Sequence, residues 1–158
     1  MSDDIVVKRT DPVSVAVADD IAPGFGHDNI NPSFNRILPT VLARLALEGA
    51  TPGICIAWYE QPTDDGRVVV HAGFDVSAAG PITGDDAVHI VDLPVVEVAS
   101  IVHAGAMDDV EPVYERLFRW IDDSGYAIAG LSRELYHEFN ADDPSKLVTE
   151  LQMPITRN

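Results

Sequence analysis

The chain has 158 residues, which is enough for one domain or for two small halves that share a core. Its net charge of −16 would repel a phosphate backbone, so we expect no direct binding of nucleic acid; the charge favours cationic ligands or basic protein surfaces, or simply aids solubility. The single cysteine, Cys55, excludes an internal disulfide.

No segment of the sequence predicts secretion or a membrane span. The N-terminal stretch MSDDIVVKRTD lacks the apolar core of a signal peptide, and no apolar run reaches the ~18 residues needed to cross a bilayer. We therefore expect a cytoplasmic protein. The five histidines do not have the spacing of metal ligands, and we expect neither a metal nor another cofactor.

The first half of the chain predicts a strand, a loop, a helix and a hairpin. Apolar residues from Ile5 to Ala18 predict a strand with a break at Pro12. A loop rich in Gly, Pro, Asn and Asp follows. Helical spacing then predicts a helix that ends at Gly49 and that Pro39 should delay or kink. The runs ICIAWYEQ and RVVVHAGFDV, joined by PTDDG, predict a hairpin.

The second half predicts the same order of elements. Residues Leu93 to Gly105 form the predicted strand, and the next segment predicts a helix with Pro112 in its first turn and Gly125 at its end. Phe118 and Trp120, near the end of that helix, are interpreted as core residues. Two apolar runs joined by the turn NADDPS predict a second hairpin.

The two halves also align residue against residue, although unrelated α+β units can share such patterns. Gly53 pairs with Gly130 and Tyr59 with Tyr136. Each strand–helix–strand–strand unit is too small to bury its own helix and sheet face well. We therefore predict one α+β domain, residues 1–158, formed by a pseudo-twofold duplication with antiparallel sheets. Repeat one covers about 5–76, a crossover 77–92, and repeat two 93–156.

The stretch GLSRELYHEF places Glu134 among apolar and aromatic neighbours. Strand alternation groups Glu134 with Ser132 and Tyr136, and the aligned face of the first half carries Ala57 and Tyr59. A face open to solvent would explain these residues as well as a ligand cleft would. In a cleft, the carboxylate could pair with a cationic ligand, act as a general acid or base, or pair with an internal cation.

The second half resembles GyrI-like domains, also called bacterial effector-binding domains, which occur at the C-terminus of AraC- and MerR-type regulators. The matching features are the HAG turn, the helix with its aromatic end, SGYAIAG, the RELY strand and TELQMPI. The resemblance extends more weakly over the first half. It implies two repeats with an aromatic-lined ligand cleft between them. A related fold binds haem, but no axial ligand can be identified here.

The resemblance also implies site residues. A Glu at the position of Glu134 meets the charge of lipophilic cationic drugs in multidrug-sensing members. Tyr136, Trp58, Tyr59 and Phe25 are the candidate aromatic walls. The segment KLVTEL stands where some drug sensors carry a pocket tyrosine, so broad recognition of cationic drugs follows less directly than the fold.

These features predict a protein that binds lipophilic or aromatic compounds, including cationic ones. We expect it to be a stand-alone protein because no helix-turn-helix motif precedes the repeats. One alternative is a hydrolase that opens electrophilic cyclopropane rings, with Glu134 activating water. Another is a DNA gyrase modulator or other protein-interaction module whose acidic surface meets a basic partner. A homodimer is compatible with each of these functions.

Overall fold

The protein was analysed as a computed structural model that describes residues 5–138 and 143–157. These ranges contain two α-helices and nine strands: β1 Val6–Arg9, β2 Val13–Ala22, α1 His27–Leu47, β3 Cys55–Tyr59, β4 Val68–Asp75, β5 His89–Leu93, β6 Glu97–Ala104, α2 Glu111–Asp123, β7 Tyr126–Ile128, β8 Arg133–Glu138 and β9 Val148–Arg157. All of the strand pairs within each unit described below are antiparallel. The α+β class predicted from the sequence is therefore confirmed.

The chain divides into two compact units. One, here called the continuous unit, is Pro12–Pro94. The other, the discontinuous unit, consists of the chain up to Asp11 together with the chain from Val95 onward. Each contains one α-helix that packs on an antiparallel sheet.

In the continuous unit the strand order is β3-β4-β2-β5. Helix α1 packs on β2 and β4 through a buried stripe in which Ile37, Val41 and Leu45 recur at intervals of four residues. At the end of this interface, Arg36 Nε donates to Asp20 Oδ2 on β2 over 2.9 Å. This bond shows which face of the sheet lies under the helix.

Helix α1 begins earlier than the sequence predicts. It starts at His27, inside the predicted loop, and runs through both Pro32 and Pro39. Each proline removes one backbone donor, which would be costly in a buried helix. Both prolines lie on the exposed side of α1, where water can satisfy the carbonyls that lose their partners. The predicted delay at Pro39 is therefore wrong.

Two of the predicted strands are each divided in the structure. The predicted strand from Ile5 to Ala18 becomes β1 and β2, which belong to different units. The predicted strand from Leu93 to Gly105 becomes β5 and β6. A proline stands at each division, Pro12 and Pro94, where the missing backbone N–H prevents a continuous ladder. The first half of the predicted turn NADDPS, residues 140–142, lies outside the described residues.

In the discontinuous unit, β9 pairs with β6 along one edge and with β8 and β7 in succession along the other. Strand β1 pairs with the outer edge of β6. Helix α2 packs on one face through Val113, Leu117 and Ile121, against a cluster that includes Ile101 and Leu151. Trp120 packs against this cluster, as predicted, but Phe118 is 41% exposed, so its assignment to the core is wrong.

Glu48 joins the end of α1 to the segment before β5. Its carboxylate accepts backbone hydrogen bonds from Thr83, at 2.7 Å, and Gly84, at 2.9 Å, and one from Arg44 Nε at 2.8 Å. The two backbone donors, followed by Arg44, lower the pKa of Glu48 from 4.5 to about 2. A lowered pKa means that the ionised form stabilises the folded state above pH 4.5.

We expect Glu48→Gln to weaken this attachment, because a carboxamide oxygen accepts fewer hydrogen bonds than a carboxylate. Amide exchange at Thr83 and Gly84 should accelerate at pH 7. In the wild-type protein, the protection of these two amides should fall towards that of the variant as the pH falls from 4.5 towards 2. Hydrogen exchange measures both effects, with Glu115→Gln on α2 as the control. Unchanged exchange in Glu48→Gln would contradict the expectation.

Candidate functional site

Glu134 is a buried carboxylate held by two tyrosine hydroxyls. The residue is only 3% exposed. Tyr114 Oη donates to Glu134 Oε2 over 2.6 Å, and Tyr136 Oη donates to Glu134 Oε1. Each carboxylate oxygen therefore has a phenol donor.

Strand β8 and helix α2 together position these groups. On β8, Glu134 and Tyr136 are two residues apart, so their side chains lie on the same face of the sheet. Glu134 is paired with Leu151 of β9, which belongs to the apolar cluster beneath α2. Tyr114 reaches the carboxylate from the first turns of α2. The sequence left open whether this face is exposed to solvent, and the structure shows that it is the helix-covered face.

The protonation of Tyr114 follows from its surroundings. Burial, and then the negative charge and hydrogen bond of Glu134, raise the pKa of Tyr114 well above its usual value of 10. Tyr114 therefore remains a neutral donor at physiological pH. A neutral donor can stabilise a carboxylate without cancelling its charge.

Tyr59 and Phe25 form an aromatic pair in the continuous unit. Tyr59 is paired with Val70, and Val70 with Asp20, whose carboxylate binds Arg36 of α1. Tyr59 therefore lies on the helix-covered face of this unit. Phe25 precedes α1, is 53% exposed, and meets the Tyr59 ring edge-on with centroids 6.1 Å apart.

Trp58 lies on the opposite face of the same strand. Its ring stacks on His71 of β4, with centroids 5.4 Å apart. His71 in turn contacts Asp19 through Nδ1 and Glu60 through Nε2, both at 2.6 Å. The structure thus groups Tyr59 with Phe25 and Trp58 with His71, because adjacent residues on a strand point to opposite faces.

Tyr114 belongs to the candidate site through its hydrogen bond to Glu134, and the sequence did not identify it. Its helical spacing placed it on the core side of α2, where a tyrosine is ordinary. The signal that could have identified it is the aromatic pair one turn apart, Tyr114 and Phe118, whose ring centroids are 5.9 Å apart. Phe118 is partly exposed beside a tyrosine that binds Glu134, so it adds apolar surface close to the carboxylate.

The described residues contain no group of three or more His, Cys, Asp or Glu side chains that could hold a metal ion. None of the described helices combines the length and apolarity required to cross a membrane.

Comparison with solved structures establishes the fold. The C-terminal domain of EcmrR superposes with a TM-score of 0.76 at 19% identity, and 98% of each chain is covered. The EcmrR chain in its complex with DNA gives a TM-score of 0.78 at 18% identity. The match covers 98% of the present chain but only 58% of the EcmrR chain. SAV2435, solved bound to tetraphenylphosphonium, gives a TM-score of 0.60 at 14% identity, with 97% and 94% covered.

A hydrolase from Listeria innocua has the same fold, with a TM-score of 0.66 at 10% identity and coverage of 98% and 93%. The curated proteins contain no match to the sequence. The family model for the GyrI-like small molecule binding domain matches residues 25–156, a range that includes both helices and strands β3 to β8 in full. The chain therefore belongs to the GyrI-like small-molecule-binding family.

Proposed function

We propose that the chain binds lipophilic aromatic compounds that carry a positive charge, with Glu134 as the anionic anchor. The observation that carries this proposal is a buried carboxylate whose two oxygens accept hydrogen bonds from Tyr114 and Tyr136. Because neutral phenols donate these bonds, no cationic side chain is needed to hold the carboxylate, which lies on a face with aromatic and apolar surface. A bound cation would be attracted both by this charge and by the faces of the aromatic rings, at ~0.5–2 kcal/mol per ring contact.

Within the continuous unit, Tyr59 and Phe25 are proposed as an aromatic surface for compounds of this class. Both present ring surface, and Phe25 is more than half exposed. Trp58, which stacks on His71, is proposed as a contact only for ligands that reach the opposite face of β3. The ligand-bound neighbour supports the class of compound, because tetraphenylphosphonium is a lipophilic aromatic cation.

The biological role that we propose is effector binding. EcmrR contains a domain of this fold within a longer chain that is solved with DNA. Ligand sensing or sequestration by the present chain would use the same binding event. The net charge of −16 supports recruitment of cations, since it raises their local concentration at the surface.

Tetraphenylphosphonium and tetraphenylborate provide the test, because they share a shape and differ in the sign of the charge. Isothermal titration should detect binding of the phosphonium and not of the borate. The measurement should be repeated at high salt, which screens attraction to the surface but affects a buried anchor much less. Equal binding of both ions, or phosphonium binding that disappears at high salt, would overturn the proposal.

A further inference from the structure

Arg133 is a buried arginine on the opposite face of β8 from Glu134. The residue is 8% exposed. It is paired with Gln152 of β9, which alternates with Leu151 and therefore points away from α2. Arg133 thus takes no part in the Glu134 site described above.

No side-chain hydrogen bond or ion pair connects the guanidinium of Arg133 to any residue within 5–138 or 143–157. Its guanidinium carries five N–H donors and stays charged in proteins. Burial lowers the pKa of Arg133 below its usual value. A buried charge without a partner is costly, so proteins normally pair it.

The unpaired guanidinium can still be reached from solvent. Within the described residues, Ser33 Oγ is the only fully enclosed side-chain polar atom that lacks a hydrogen-bond partner. The unbonded nitrogens of Arg133 therefore keep some accessible surface, through which a small ligand could approach.

Glu150, a carboxylate on the same face of the sheet as Arg133, already accepts hydrogen bonds from other residues. Glu150 of β9 is 5% exposed, and hydrogen bonds lower its pKa to about 2, so it is ionised. Four donors share its two oxygens: Lys8 Nζ at 2.6 Å, Ser100 Oγ at 2.7 Å, His137 Nε2 at 2.7 Å and Gln152 Nε2 at 2.8 Å. Lys8 is the cation that pairs with Glu150, so Arg133 does not serve as the counter-ion of this carboxylate.

We propose that Arg133 binds a small oxyanion, a carboxylate or a phosphate, on the face of the discontinuous unit that α2 does not cover. The planar guanidinium presents two parallel N–H groups that match the oxygens of either anion. Bound anion would supply the partner that the described residues do not. This site is separate in face, charge and ligand class from the proposed cation site at Glu134.

Thermal unfolding of wild type and Arg133→Met in two buffers of equal ionic strength tests the proposal. One buffer contains only chloride, and the other contains inorganic phosphate or acetate. In chloride, Arg133→Met should unfold at a higher temperature than wild type, by roughly 2–4 °C, because it removes a buried unpaired charge. In phosphate or acetate the order should reverse, because only wild type gains the anion.

Isothermal titration with phosphate and with acetate then identifies the anion. Arg133→Met should weaken the binding at least tenfold, and Arg133→Lys should weaken it too because an ammonium group cannot bind two oxygens in parallel. Arg119→Met, an exposed arginine of α2, should bind as wild type does. The proposal is overturned if Arg133→Met is less stable than wild type in both buffers, or if neither anion binds wild type more tightly than Arg133→Met.

Discussion

Glu134→Gln should reduce the affinity for tetraphenylphosphonium about 100-fold, which corresponds to ~3 kcal/mol. The substitution keeps the size and shape of the side chain but removes the negative charge that would attract the cation. One carboxamide oxygen also replaces two carboxylate oxygens, so Tyr114 and Tyr136 cannot both donate as they do now. Isothermal titration or quenching of tryptophan fluorescence measures the loss.

The matched control is Glu138→Gln, which makes the same change at an exposed position of the same strand. It removes one unit of charge from the protein without touching the site, so it should change the affinity less than threefold. Circular dichroism should show that both variants fold. Equal affinities of Glu134→Gln and wild type would remove Glu134 from the binding site.

Glu150→Gln should destabilise the folded protein by about 3 kcal/mol at pH 7. Burial raises the pKa of Glu150, but the hydrogen bonds from its four donors more than offset this effect and lower the pKa from 4.5 to about 2. At ~1.4 kcal/mol per pKa unit, the ionised form contributes ~3 kcal/mol. Because the pKa is lower in the folded state, this contribution is present above pH 4.5 and is lost as the pH falls from 4.5 towards 2.

Urea unfolding of wild type and Glu150→Gln at several pH values measures this difference. The gap in the free energy of unfolding should be largest near pH 7 and should narrow steadily below pH 4.5. Glu138→Gln should show a gap of no more than ~0.5 kcal/mol, as is usual for a surface substitution. A gap for Glu150→Gln that is independent of pH would mean that side-chain shape, and not charge, is responsible.

The sequence predicted the α+β class and the family, and it placed Glu134 and Tyr136 on one strand face. Both results depend on local patterns: the period of two residues in a strand, and the ordered motifs that follow one another along the chain. Alternation also separated Trp58 from Tyr59, and the structure places these two side chains on opposite faces.

Contacts between distant segments were less predictable. The phenol of Tyr114 donates a hydrogen bond to Glu134, which is 20 residues further along the chain. No spacing rule predicts a contact between a helix residue and a strand residue at that separation in sequence. Helix α1 contains Pro39 because solvent satisfies the carbonyl that the proline leaves without a donor, which depends on the exposed side of the helix and not on the local sequence. Glu150 likewise accepts hydrogen bonds from side chains on four different strands, β1, β6, β8 and β9.

The position of β1 has a consequence for the order in which the protein folds. Val6 is synthesised well before its partner Ser100. The discontinuous unit can therefore be completed only after the strands from β6 to β9 have been made, and closing such a long loop slows its formation. In the continuous unit, Pro12–Pro94, strands β2, β3, β4 and β5 are joined by pairings within that one stretch of chain, so this unit can form first. Until β6 is made, β1 lacks its pairing partner, and an unpaired strand edge of this kind is a site at which the nascent chain can aggregate.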